Sequence, residues 1–114
     1  MKDLKHKADF GESKRVEFST AMIKGYLESI YISVTKPVNV IIYSLDNPDM
    51  ILYENVSFVG SKNMALRAEA IGSDDTAFNY ANTRWALNEK LGFIFKGSAL
   101  TKVEVRVRYN GWTY

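Results

Sequence analysis

The sequence predicts an all-β domain: a single antiparallel β-sandwich, jelly-roll or immunoglobulin-like, or a small barrel. Three observations carry that prediction. First, the last regular segment, Thr101 to Tyr109, sets Val103, Val105, Val107 and Tyr109 against Lys102, Glu104, Arg106 and Arg108 with a period of two. A strand with one face on a core and the other in water requires that alternation. Second, short runs rich in β-branched and aromatic residues recur between turn signals, and no segment supplies the crossover helices of a parallel sheet. Third, 114 residues with 46% hydrophobic side chains can build one core without disulfides, and the chain has no cysteine.

Residues 1–14 are polar and aperiodic, with Gly11 and Ser13, and read as a flexible N-terminal arm. The β-sandwich domain is expected over 15–110. Val16, Phe18 and Thr20 alternate with Arg15, Glu17 and Ser19, a first strand reaching toward Ile23, and Lys24-Gly25 reads as a turn. From Tyr26 to Val34, one face is expected to carry Tyr26, Ile30, Ile32 and Val34, and the other Leu27 and Tyr31. Pro37 marks a strand end, because it lacks a donor and fixes its own φ. Val38 to Leu45 is a buried strand by length and β-branching. Asp46-Asn47-Pro48-Asp49 is the clearest turn and predicts a hairpin with Met50 to Val56.

Gly60-Ser61-Lys62-Asn63 reads as a break, and Met64 to Ala70 as a short extended piece. Residues 71–84 lack strict alternation and read as a long connection with one turn of helix at most. Leu91 to Phe95 resumes a strand, and Lys96 to Leu100 turns into the last one. Alternation places Val16, Phe18, Ile30, Ile32, Val40, Ile42, Leu52, Leu66, Phe93, Phe95, Val103, Val105 and Val107 in the core. Residues 111–114 form an aromatic C-terminal tail.

Composition excludes much chemistry. Without cysteine there is no thiolate nucleophile, iron–sulfur cluster or cysteine-ligated zinc. The single histidine, His6, lies in the expected arm, where catalysis would need the arm to fold over a nucleophile. Asp74-Asp75 could offer oxygens to a cation, but adjacent loop carboxylates without further ligands are usually solvated. Asn55-Val56-Ser57 matches a glycosylation sequon of the kind that arises by chance. Gly60, Gly72, Gly92 and Gly97 stand singly and build no phosphate loop. No apolar run has the length of a signal peptide or a membrane-spanning helix. The reading is therefore a non-enzymatic protein without cofactor or metal.

Binding is a better fit to the residues. Trp112 and Tyr114 end the chain with two large aromatics, which either dock on their own domain or anchor in a partner. Lys5 and Lys7 in the arm, with Arg106 and Arg108 on the polar face of the last strand, could meet an acidic surface. These six are the expected partner-binding residues. The formal charge of +2 and the interleaved acids argue against nucleic acid through Lys2, Lys5, Lys7, Arg106 and Arg108. A sugar-binding module using Trp112, Tyr114, Tyr80 or Phe78 is the alternative.

The order of features resembles a known group. Ile23-Lys24-Gly25-Tyr26-Leu27-Glu28-Ser29-Ile30-Tyr31-Ile32 precedes Pro37-Val38-Asn39-Val40 and Asn47-Pro48-Asp49-Met50-Ile51-Leu52. Trp85-Ala86-Leu87-Asn88-Glu89-Lys90-Leu91 and the strand Val103 to Tyr109 complete the series. Over roughly residues 15–110 this resembles the small β-sandwich auxiliary or decoration proteins on the heads of tailed bacteriophages. The resemblance implies a structural role in the virion, many copies or a homo-oligomer, and contact with a major capsid protein or other virion proteins. The lack of a long apolar or targeting segment adds the expectation of no membrane partner and of synthesis in the host cytoplasm.

Overall fold

A computed structural model describes residues 1–67, 70–71, 77–78 and 84–111, the two short middle segments as backbone. The chain is all-β, and its strands are β1 (Lys2–Asp9), β2 (Arg15–Ser19), β3 (Ile23–Val34), β4 (Val38–Ser44), β5 (Ile51–Phe58), β6 (Ser61–Met64), β7 (Ala70–Ile71), β8 (Ala77–Phe78), β9 (Ala86–Glu89), β10 (Leu91–Gly97) and β11 (Lys102–Gly111). One sheet runs β1-β11-β3-β6, with β9 also on β3, and the other runs β2-β10-β4-β5. We call these the charged sheet, after its outer face, and the aliphatic sheet, after the Ile41–Ile94 pair on its outer face. β7 and β8 pair with each other, and every pairing is antiparallel.

The inner faces of the two sheets interlock. Ile23, Leu27, Ile30, Ile32, Val34, Val103, Val105, Val107 and Tyr109 of the charged sheet are buried. So are Val38, Val40, Ile42, Leu52, Phe58, Leu91, Phe93 and Phe95 of the aliphatic sheet. Ten of the thirteen core residues expected from alternation are among the buried ones, and Val16, Phe18 and Leu66 pack against them half-buried. Phe18 stacks on Phe93 and Phe95 with centroids 5.2 and 5.9 Å apart.

The N-terminal segment corrects an expectation. Lys2–Asp9 is not an arm but an edge strand in unbroken register with β11, from Lys2 opposite Tyr109 to Asp9 opposite Lys102. Composition hid this because the strand contributes mostly backbone. Leu4, His6 and Ala8 face inward opposite Val107, Val105 and Val103, and the neighbouring ladder satisfies what the side chains cannot. Phe10, 4% exposed, then pins the segment, with its N–H on the Thr101 carbonyl at 2.9 Å. His6 stacks on Phe18 at 3.8 Å and so ties β1 to the opposite sheet.

β3 holds a second correction. Arg108 pairs with Ser29 but Tyr109 pairs with Leu27, so Glu28 is an extra residue, a β-bulge. A bulge shifts the inward phase by one. Leu27 is therefore fully buried and Tyr26 is 43% exposed, the reverse of the uninterrupted alternation. Lys24-Gly25 lies inside β3 rather than in a turn. A Cβ on Gly25 would fall within the carbonyl of Asn110, so glycine permits that close approach. The link from β2 across to β3 comes earlier, at Thr20 to Met22, where the Thr20 hydroxyl accepts the Leu91 N–H at 3.0 Å. Ser61–Met64, expected as a break, pairs with β3 as β6. The last strand runs to Gly111.

The hairpin at Asp46 to Asp49 is present, closed by Met50 N–H on the Asn47 carbonyl at 2.9 Å. The chain crosses between sheets from β9 to β10, and Ser44 Oγ donates to Glu89 at 2.6 Å beside that corner. On the outer face of the aliphatic sheet, Ile94 opposes Ile41 and Gly92 opposes Tyr43. The Tyr43 ring covers Gly92, and its hydroxyl donates to Glu17 at 3.3 Å.

Two outcomes follow. Deleting residues 2–9 should lower unfolding free energy by at least about 2 kcal/mol, from lost Leu4 burial and an opened β11 edge. Chemical denaturation measures this, and an unchanged midpoint would show that β1 adds nothing. Burial, with the Glu17 hydrogen bond, raises the Tyr43 pKa above its ordinary 10.0. The neutral phenol is thus favoured on folding, and its stabilisation is complete below pH 10 and fades as pH climbs through the folded value. Tyr43→Phe should flatten the alkaline limb of a pH–stability profile. An identical limb in both proteins would refute the assignment.

Candidate protein-docking face

The polar residues of β1, β11, β3 and β6 share the outer face of the charged sheet. Alternation dictates it: once Leu4, His6, Ala8 and the β11 valines turn inward, Asp3, Lys5, Lys7, Asp9, Lys102, Glu104, Arg106 and Arg108 must turn outward. β3 adds Ser29, Tyr31 and Ser33, and β6 adds Ser61 and Asn63.

Four of the six residues expected to bind a partner meet there. Lys5 stands directly opposite Arg106, and Lys7 lies opposite Glu104 in the next outward row. Arg108 Nε donates to Asp3 at 3.1 Å, and Arg106 Nε to Glu104 at 3.3 Å. Such exposed pairs contribute little to stability, about 0–1 kcal/mol each. Lys5, Lys7 and Lys102 have no ion-pair partner among the described residues. The Arg106 guanidinium lies 5.9 Å from the Tyr31 ring centre. The Ser33 and Ser61 hydroxyls share a hydrogen bond of 2.7 Å.

Two shallow depressions open on this face. One, of about 410 Å³, includes Lys7, Asp9, Ser33, Thr35, Lys102 and Glu104 in its lining. The other, of about 390 Å³, is lined by Tyr31, Asn63, Glu104, Arg106 and Arg108. Both are broad, and both mix charges of either sign with hydroxyl or amide groups. That arrangement can form many weak polar contacts with another surface.

The bulge borders the same face. Glu28 accepts from the Arg84 guanidinium and from Asn110 Nδ2, the latter at 2.5 Å, while its carbonyl accepts Arg67 Nη1 at 3.1 Å. Arg84 also lies 5.5 Å from the Tyr26 ring centre. Glu28 thus gathers both ends of the 67–84 connection beside the end of β11, Arg67 on its backbone carbonyl and Arg84 on its carboxylate.

Trp112 and Tyr114 lie outside the described residues, as do Asp74-Asp75, Tyr80 and the Phe78 side chain. His6 is spent on the Phe18 stack. Asn55 Oδ1 accepts the Ser57 N–H at 2.8 Å, a local turn within the sequon. Sequence reasoning missed Asn63, Ser33 and Ser61. Tyr31 was already placed on the outward side by its alternation with Ile30 and Ile32, but only the register sets it beside Arg106.

Glu28→Ala should release Arg84 and Asn110 and cost about 1–3 kcal/mol, since partly buried donors lose a charged acceptor. Amide exchange should speed up at the Arg67–Arg84 bridge, and unchanged protection there would show that the carboxylate does not hold it.

No protein-family model matches the chain, and neither curated proteins nor solved structures give a match.

Proposed function

We propose that this chain is a non-enzymatic structural protein of a tailed-bacteriophage particle, an auxiliary or decoration-type subunit. It docks on the capsid shell or connector through the outer face of its charged sheet, in many copies. The observation that carries the docking role is the register of β1 on β11. It lays Lys5, Lys7, Lys102, Arg106 and Arg108 side by side on one flat surface, with Asp3, Asp9 and Glu104 between them. A rigid sheet fixes the backbone positions of these groups, so binding need order only their side chains. Mixed signs suit selection of one protein surface over others, because mismatched partners meet like charges. The virion assignment is supported by the sequence resemblance, and the sandwich architecture is compatible with it.

The test is direct. The chain should co-sediment with purified particles at high copy number. Arg106→Glu with Arg108→Glu should reduce incorporation at least tenfold while circular dichroism stays that of the parent. Recovery of the chain solely from particle-free lysate would overturn the proposal. Full incorporation of the double variant would move docking to another surface.

A further inference from the structure

The outward residues of β1 and β11 meet in successive rows across their ladder. Asp3 opposes Arg108, Lys7 opposes Glu104, and Asp9 opposes Lys102. These rows set unlike charges against each other, as a stable solvated ladder does. The remaining row breaks the pattern, because Lys5 opposes Arg106. Directly opposed like charges weaken a sheet, and nothing in the row neutralises them. Lys5 has no polar partner among the described residues. Arg106 spends its Nε on a long 3.3 Å contact with Glu104, which leaves both Nη groups uncommitted among those residues.

The row continues across the sheet through Tyr31 to Asn63, both uncharged. Beside it lies the 390 Å³ depression, whose lining Arg106 shares with Tyr31 and Asn63, with Glu104 and Arg108 completing it. Two opposed cations, of which only the Arg106 Nε reaches a carboxylate, thus border a recess with an aromatic ring and an amide. We infer that the row Lys5–Arg106–Tyr31–Asn63 receives a single carboxylate presented by a protein partner, an inference that rests on reading this face as a protein-docking surface. The free edge of a guanidinium matches a carboxylate with two parallel hydrogen bonds. The Lys5 ammonium approaches from one side, and the Asn63 amide can donate from the other.

The neighbouring rows decide between a carboxylate and a polyphosphate. Asp3 and Glu104 flank the row, and Asp9 lies further along the same face. A nucleic-acid backbone, with a charge at every few ångströms, would bring its next phosphates against them. One acidic side chain among neutral or basic neighbours fits the gap, and its basic neighbours find those same carboxylates.

The full ¹⁵N-labelled chain is titrated with a capped peptide of alternating Lys and Glu, with its Gln-for-Glu counterpart, and with an oligothymidylate. The Glu peptide should give saturable shifts centred on Lys5, Arg106, Tyr31 and Asn63. Lys5→Glu and Arg106→Glu should weaken it at least tenfold, Arg106→Lys severalfold, and Lys96→Glu on the opposite sheet not at all. Equal binding of the Gln peptide, shifts spread evenly over the surface lysines, or tighter saturation by the oligothymidylate would each overturn the inference. Because no particle is present, failure here leaves the particle-docking result standing, and failure of particle docking leaves this titration intact.

Discussion

The antiparallel pairing of β11 with β3 is the constraint on which the rest of the molecule depends. It joins the two longest strands, Ile23–Val34 and Lys102–Gly111, at the centre of the charged sheet. Their inward valines and isoleucines form one wall of the core. Their outward residues are then placed by geometry, with no freedom left to choose. β1 adds to the far side of β11, while β6 and β9 share the far side of β3. The one irregularity in this pairing, the bulge at Glu28, has two effects. It returns Leu27 to the core, and it pushes a carboxylate out to hold Arg84 and Asn110.

The two outer faces of the sandwich differ in kind. On the aliphatic sheet, Ile94 meets Ile41 and Tyr43 shields Gly92, with the Arg15–Glu17 ion pair and Lys96 along one side. On the charged sheet, Arg106 and Arg108 pair with Glu104 and Asp3, while Lys5, Lys7 and Lys102 have no ion-pair partner among the described residues. Since the same backbone pattern builds both, the contrast lies in side chains that the fold does not need. Residues dispensable for packing yet arranged in register are good candidates for recognition.

Much of this was legible in the chain. The period of two in Val103 to Tyr109 gave the inward and outward sides of β11 correctly, and with them Arg106 and Arg108 on the surface. The Asp46 to Asp49 turn announced its hairpin. What could not be read was anything set by a distant partner. Lys2–Asp9 has the composition of a loose arm, and it becomes a strand because β11 offers a free edge 100 residues later. Alternation cannot reveal a bulge, since one inserted residue looks like ordinary sequence until two strands are aligned. The meeting of Lys5 with Arg106 depends on both facts at once.

The β1–β11 ladder also dictates how the molecule can be made. Lys2 pairs with Tyr109 and Ile23 with Glu89, so the charged sheet is closed by contacts between segments far apart in sequence. During synthesis β1 has no edge to join until β11 has emerged. Closure of this sheet therefore waits for β11, and such long loop closures place folding among the slower small domains, on the order of milliseconds to seconds. Until then the hydrophobic strands of the aliphatic sheet must remain unaggregated with half of their covering layer still missing.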